Sequence, residues 1–239
     1  MRLYIIRHAD PDYANDTITP RGHAEAHALA DRLSDVTLDH IYCSPMGRAR
    51  ATAGYTAEQK NMTPVVLDWT AELGHWQIDQ PHDQGGNVCA WDVHGHRVRT
   101  REPLPTGRDW HTMAPFDNSM FREEFDQLAQ HSDELLTRHG YVREGGVYRV
   151  ERSNRHALAV FCHGGFGLTW LAHLLAIPLP LMWSGFFLSP SSVTTILFDE
   201  REPGVAVPRC LGLSDLSHLY AAGLLEQDQP PIGIKANYH

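Results

Sequence analysis

Residues 157–162 form a nearly continuous apolar run, Ala-Leu-Ala-Val-Phe-Cys, which is typical of a β-strand buried on both faces. Other short strands are predicted at 2–7, 39–43 and 192–198, and helices at 20–34, 45–59, 118–139 and 166–176. Strands that alternate with helices in this way indicate the α/β class. We expect a three-layer sandwich whose mostly parallel central sheet is flanked by helices.

Residues 73–116 interrupt this alternation. They are rich in Gly, Pro, His, Trp and Asp and show no sustained periodicity. A connection of this length is uncommon in a compact domain unless it is a functional lid or packs on its own. We therefore expect one domain over 1–239, with a large insertion at about 73–150 that covers the functional edge of the sheet.

Composition excludes several classes of protein. The formal net charge of −9 over 239 residues argues against a general binder of nucleic acid or of anionic membranes, although a local basic pocket could still hold a small anion. No apolar stretch approaches the roughly 18 residues of a membrane span, and no signal peptide is recognised. Four scattered cysteines without a C-x-x-C pair favour reduced thiols and a cytoplasmic location.

Three predicted strands end in residues that can bind an anion. The first ends on Arg7 and His8, the second leads to Arg48, and the strand at 157–162 leads to His163 and Gly164. Because the carboxyl ends of parallel strands meet at one edge of a sheet, we expect these side chains to converge. With Ser44 as N-cap, Arg48 would lie in a first helical turn, where an anion would offset the unfavourable helix dipole.

The order of these motifs resembles the histidine phosphatase superfamily, also called the phosphoglycerate-mutase-like family. The motifs are Arg7-His8, Thr19-Pro20-x-Gly22, Ser44-Pro45-x-x-Arg48-Ala49-x-x-Thr52-Ala53, Glu72 before Leu-Gly-His-Trp, and His163-Gly164-Gly165. Each motif is short, but together they span nearly the whole chain in the family's order.

The resemblance implies a role for each residue. His8 would be the nucleophile that forms a phosphohistidine, which water then hydrolyses. Arg7, Arg48 and His163 would hold the phosphoryl oxygens, because phosphoryl transfer depends mainly on positioning and charge neutralisation. Glu72 would protonate the leaving oxygen and later deprotonate water. No metal and no cofactor is implied.

The chain departs from the family pattern near the nucleophile. Ala9 stands where glycine usually follows the histidine, and Ala14 stands where an asparagine would contact phosphate. Asn15 could substitute if the loop shifts. A further phosphate contact is expected from the backbone at Gly164, which opens a helix. The absence of this asparagine argues more strongly against mutase activity than against phosphatase activity.

The irregular segment supplies aromatic and histidine side chains that could line the pocket and select the leaving group. They are Trp76, Trp91, Trp110, His75, His82, His94, His96 and His111. Cys89, His94 and His96 have a spacing that could hold a transition metal, although surface or packing roles are the default.

The leading hypothesis is therefore a metal-independent phosphomonoester hydrolase that acts on a small phosphorylated substrate. The alternatives are a phosphoglycerate mutase, a non-catalytic module that binds a phosphorylated ligand, and a histidine-rich zinc protein. Phosphosugars, phosphoglycerates, nucleotides and phosphoproteins all stay open as substrates. No nucleic-acid or membrane partner is expected. The sequence does not indicate whether the protein is a monomer or an oligomer.

Overall fold

Strands and helices alternate along the first part of the chain in the computed structural model, which describes residues 1–79, 86–107 and 109–225. The strands are β1 (Arg2–Arg7), β2 (Pro11–Asp12), β3 (Thr17–Ile18), β4 (His40–Cys43), β5 (Val65–Val66), β6 (Gln77–Asp79), β7 (Asn87–Cys89), β8 (Tyr141–Glu144), β9 (Val147–Val150), β10 (Ala157–Cys162), β11 (Val193–Glu202) and β12 (Val205–Asp215). The helices are α1 (Pro20–Ser34), α2 (Gly47–Lys60), α3 (Gly95–Arg99), α4 (Ser119–Arg138), α5 (Gly164–Leu175), α6 (Leu179–Gly185) and α7 (Ser217–Ala221).

The central sheet is mixed. Its strand order is β5-β4-β10-β1-β11-β12-β9-β8. The strands from β5 to β1 pair in parallel, whereas the pairs from β1–β11 to β9–β8 are antiparallel. The prediction of a mostly parallel sheet is therefore corrected. Short turns join β8 to β9 and β11 to β12, and such turns can only reverse the direction of the chain.

The three layers follow from the alternation of side chains along the strands. In β1, Leu3 and Ile5 belong to one apolar cluster, and Tyr4 and Ile6 belong to another. The first cluster includes residues of α4 and α5, and the second includes residues of α1 and α2. Helices therefore cover both faces of the sheet, and the predicted α/β sandwich is confirmed. Every residue of β10 is buried, as its apolar run predicts.

The helix starts agree with the sequence prediction in one case and differ in the other. Thr19 caps α1 by accepting a hydrogen bond from the N–H of Gly22, and Pro20 is the first helical residue. By contrast, α2 begins at Gly47 with Met46 as N-cap, two residues later than predicted, and the N–H of Gly47 donates to Oδ2 of Asp16. None of the helices in the described ranges has the length and apolar character required to cross a membrane.

Residues 73–116 contain short elements rather than a structureless loop. β6 and β7 form a two-stranded sheet, and α3 contacts α6. Trp76 and Trp110 pack into the larger apolar cluster. The rest of the predicted insertion, residues 117–150, includes α4 and the strands β8 and β9, which form an edge of the central sheet. That half of the range therefore belongs to the main body of the fold.

Candidate active site

The first strand places His8 at the carboxyl edge of the sheet. The residue is 1% exposed, and its backbone N–H donates to the carbonyl of Cys162 in β10 over 2.9 Å. Its Nδ1 lies 2.8 Å from the carbonyl oxygen of Ala9. Because a carbonyl only accepts hydrogen bonds, Nδ1 carries the proton and Nε2 keeps its lone pair. Burial, and then the charge of Arg7, lower the pKa of His8 to about 3, so the ring is a neutral nucleophile near pH 7.

Ala9 fits where the family pattern has glycine. It is fully buried and packs against Ile18 and Ala26. Its N–H donates to Oγ1 of Thr52 over 3.0 Å, and that hydroxyl in turn donates to the carbonyl of Arg48. The residue after His8 is therefore held by α2 without a steric conflict.

Arg7 lies against the start of α5. Its guanidinium donates to the carbonyl of Leu188 and lies 5.7 Å from the ring centre of Phe187. A Cβ on Gly164 would lie only 3.2 Å from Cζ of Arg7, so glycine at this position allows the close approach. Nε of Arg7 is buried and has no hydrogen-bond partner within the described residues.

Arg48 is 6% exposed and is paired with an acidic side chain that the sequence analysis did not identify. Nη1 of Arg48 lies 2.8 Å from Oδ1 of Asp16, and Oδ2 of Asp16 accepts from the N–H of Gly47 over 2.7 Å. Burial opposes the ionisation of Asp16, but these hydrogen bonds outweigh it and lower the pKa of the carboxyl. An anion that binds Arg48 therefore competes with a charged carboxylate.

This competition leads to a prediction about product binding. We expect Asp16→Asn to bind inorganic phosphate up to roughly fivefold more tightly than the wild type, because a partly exposed ion pair contributes about 0.2–1 kcal/mol. The measurement is the inhibition constant of phosphate in a hydrolysis assay. Asp12→Asn is the control, since Asp12 lies in the same loop and binds Asn15. Weaker phosphate binding by Asp16→Asn would contradict the expectation.

Asn15 is not brought to the cluster. It is exposed, and its side-chain amide donates to Oδ2 of Asp12 over 2.8 Å. Its backbone N–H donates to the other oxygen of the same carboxylate. The turn between β2 and β3 thus directs Asp16, rather than Asn15, towards Arg48, and we do not include Asn15 in the proposed site.

His163 faces His8 from the end of β10. The two ring centres are 5.2 Å apart. Nε2 of His163 lies 2.7 Å from Oγ of Ser44, whereas Nδ1 is buried without a hydrogen-bond partner in the part of the chain that is described. Burial, and then the electrostatic effects of His8, Arg48 and Arg7, lower the pKa of His163 well below its usual value. Ser44, expected to be a helix cap, therefore orients His163.

Glu72 lies at the N-terminus of α5. Oε1 accepts from the N–H groups of Phe166 (2.8 Å) and Leu73 (3.1 Å), and Oε2 accepts from the N–H of Gly165 (3.2 Å). The positive end of the helix dipole favours a carboxylate at this position. A carboxylate has about four acceptor positions, two on each oxygen. Oε1 uses both of its positions and Oε2 uses one, so Oε2 keeps a position that can receive a proton or a water hydrogen.

A cavity of about 910 Å³ adjoins part of this cluster, and its lining includes Arg7, Arg48, Glu72 and Gly164 but not the buried His8 and His163. Much of the rest of its wall is aromatic or aliphatic. The apolar wall residues are Trp91, Val93, Leu168, Trp183, Phe186, Phe187 and Leu188. The anion-binding end of the cavity is therefore continuous with a largely apolar chamber.

The irregular segment contributes part of this wall. Trp91, Asp92 and His94 line the cavity, and the indole of Trp91 lies against Gly165, where any Cβ would overlap it. Asp92 was not identified from the sequence. Burial raises the pKa of its carboxyl above the usual value, and the opposing effect of Arg7 is smaller.

The other predicted lining residues lie elsewhere. Trp76 and Trp110 are buried in the core, and His75 contacts Glu124. His96 and His111 are not among the cavity residues, and His82 lies outside the described residues. Within the described ranges, Cys89 does not form a group of metal ligands with His94 and His96.

Comparison with known proteins agrees with the motif order. The family model described as "Histidine phosphatase superfamily (branch 1)" matches residues 3–209. The adenosylcobalamin/alpha-ribazole phosphatase of Salmonella typhi is 23% identical over 196 residues, which cover 77% of this chain and 84% of that protein.

Two solved structures share the fold. The phosphoserine phosphatase of Entamoeba histolytica, in complex with 3-phosphoglyceric acid, has a TM-score of 0.60 at 19% identity and covers 91% of this chain and 98% of its own. The mycobacterial glucosyl-3-phosphoglycerate phosphatase has a TM-score of 0.57 at 16% identity, with 89% and 98% covered. The predictions of the family and of an enzyme that hydrolyses phosphate esters are confirmed. The chain belongs to the histidine phosphatase superfamily, branch 1.

Proposed function

We propose that the protein hydrolyses phosphomonoesters through a phosphohistidine on His8. One arrangement carries this proposal: the neutral ring of His8 lies beside buried polar atoms that have no hydrogen-bond partner within the described residues. These atoms are Nε of Arg7, Nε of Arg48 and Nδ1 of His163. Buried polar groups in proteins are normally hydrogen-bonded, so unpartnered ones clustered beside His8, next to a cavity that both arginines line, fit a ligand with several acceptor oxygens.

In the first step, Nε2 of His8 attacks phosphorus, and the bond between phosphorus and the leaving oxygen breaks. Glu72 gives its proton to that oxygen, which leaves as an alcohol. In the second step, a water molecule attacks the phosphohistidine while the Glu72 carboxylate takes a proton from it. The P–N bond breaks, inorganic phosphate is released, and His8 regains its lone pair.

Arg7, Arg48 and His163 stabilise the charge on the phosphoryl oxygens during both displacements. The two guanidinium groups are buried, and interactions between charges are stronger in such surroundings than in water. The protein therefore contributes positioning and electrostatic stabilisation, which are the main requirements of phosphoryl transfer.

We propose hydrolysis rather than mutase activity. The position at which the family's asparagine would contact phosphate is Ala14, and the neighbouring Asp16 places a carboxylate on Arg48. A negative charge there opposes the retention of a second phosphoryl group. Release of inorganic phosphate, compared with isomerisation of 3-phosphoglycerate, distinguishes the two activities.

We also propose that the leaving group carries a flat apolar part. The aromatic wall formed by Trp91, Phe186 and Phe187 would bury it. We expect the kcat/KM for 2-phenylethyl phosphate to exceed that for phosphoserine by about tenfold or more, because burial of a phenyl ring contributes roughly 1.5–3 kcal/mol. Both substrates are phosphate esters of primary alcohols, so the chemical step is comparable.

The same comparison in Trp91→Ala tests the origin of this preference. We expect most of the preference to disappear, since the indole of Trp91 forms part of the aromatic wall of the cavity. Tyr220→Ala is the matched control, because Tyr220 is an aromatic residue that is 73% exposed on α7. Equal kcat/KM values for the two substrates in the wild type would contradict the proposed leaving group.

We further propose a small phosphorylated metabolite as the partner and the cytoplasm as the location. The four cysteines are free thiols, which supports a reducing compartment. Two structures of the Entamoeba histolytica phosphoserine phosphatase, which shares this fold, are complexes with 3-phosphoglyceric acid and with phosphoserine, both small phosphorylated molecules. We propose that the part of the segment 73–116 that lines the cavity acts as a cap over the substrate.

A further inference from the structure

Three histidines converge at the end of the sheet opposite to His8. His40 is the first residue of β4, His139 follows the last residue of α4, and His156 directly precedes β10. The catalytic histidines follow the other ends of the parallel strands. The two groups are therefore separated by about 20 Å, the length of a six-residue strand at roughly 3.3 Å per residue.

The three imidazole rings are in mutual contact. Their ring centres are 4.9 Å apart for His40 and His139, and 6.0 Å apart for each of the other two pairs. One ligand atom from each residue lies within 4.8 Å of the others. Nitrogens bound to one tetrahedral Zn²⁺ at about 2.0–2.1 Å are about 3.4 Å apart, a distance that small ring rotations would reach.

The hydrogen bonding around the rings also fits a cation. Nδ1 of His156 is buried and has no hydrogen-bond partner within the described residues, so its position suits a ligand atom. The hydroxyl of Tyr42 lies 2.9 Å from Nε2 of His139 and orients that ring, as outer contacts do in metal sites.

We propose that His40, His139 and His156 bind one zinc ion, with water as the fourth ligand. His40 and His156 are partly exposed, which gives the ion a path from solvent. The site joins the start of β4, the end of α4 and the segment before β10, so its role is to stabilise the fold and not to take part in hydrolysis. Arg138 and Arg152 lie close to His139, and we expect their charges to make binding weaker than in thiolate sites.

The test uses the full chain without an affinity tag, freed of metal with a chelator and then titrated with Zn²⁺. We expect one equivalent to bind and to raise the melting temperature, because a ligand that binds the native state stabilises it. Co²⁺ in the same site should show the visible absorption of a tetrahedral complex. His40→Ala and His156→Ala should each weaken binding by at least about 10–100-fold, the loss found even for outer partners of metal ligands.

Two controls make the result specific. His27→Ala removes an exposed histidine of α1 and should bind zinc as the wild type does. The metal-free His40→Ala and His156→Ala proteins should retain wild-type phosphatase activity, because neither residue is near the cavity. Absence of a one-to-one complex with Zn²⁺ or Co²⁺, or binding that persists in both variants, would overturn the proposal.

Discussion

Replacing His8 by alanine is expected to abolish hydrolysis, with kcat reduced by roughly 10⁴-fold or more, as when the nucleophile of a covalent mechanism is removed. The backbone contacts of residue 8, to Cys162 and Ser191, do not depend on the imidazole, so the fold should persist. The measurement is phosphate release, together with acid-quench trapping of a phosphorylated protein from a radiolabelled substrate. The wild type should incorporate label and His8→Ala should not.

The matched control is His131→Ala, which removes an exposed histidine on α4 and should leave both labelling and turnover unchanged. The pH profile adds an independent readout. The neutral form of His8 is the nucleophile and its pKa is lowered to about 3, so the rate should not fall through protonation of His8 until the pH approaches 3. Turnover that survives in His8→Ala would exclude the proposed mechanism.

Glu72→Gln is expected to lower kcat for alkyl phosphates by about 10²–10⁴-fold, the usual contribution of a general acid or base. Glutamine has nearly the same shape, and its carbonyl oxygen can still accept hydrogen bonds from α5. However, it can neither supply a proton to the leaving oxygen nor accept one from water. A 4-nitrophenolate leaves without protonation, so with 4-nitrophenyl phosphate the variant should form phosphohistidine rapidly and hydrolyse it slowly.

The observable is therefore a burst of 4-nitrophenol, of about one equivalent, that is followed by slow turnover. Asp92→Asn is the comparison, since Asp92 is a second carboxyl in the same cavity. If Asp92→Asn showed the burst and Glu72→Gln behaved as the wild type, the proton transfer would have to be assigned to Asp92. Melting temperatures of both variants exclude a general loss of structure.

The strand ends were predictable because they depend on local patterns. The apolar run of β10 predicts a strand buried on both faces, and parallel pairing of β4, β10 and β1 then brings His163 beside His8. Arg7 and Arg48, which also follow or end these strands in sequence, both line the cavity. This reasoning does not extend to the antiparallel half of the sheet, where short turns join β8 to β9 and β11 to β12.

The side chains that the sequence analysis missed interact over long distances along the chain. Asp16 reaches Arg48 through an unusual turn in which its φ is +46°, and Asn15, next to it, turns to Asp12. Ser44 was recognised as a cap and not as a partner of His163, since 119 residues separate them. Asp92 lies in a segment without periodicity, so no pattern distinguishes it from a surface carboxylate.

The sequence by itself determined the α/β class, the family and the residues at the carboxyl ends of the strands, because hydrophobic period and short motifs are local properties. Only the tertiary structure decided which carboxylates lie near Arg7 and Arg48 and which aromatic residues form the cavity wall. It also decided that His40, His139 and His156 converge at the opposite end of the sheet. Those contacts depend on the relative positions of elements far apart in sequence, and packing of the whole sheet and its helices sets these positions.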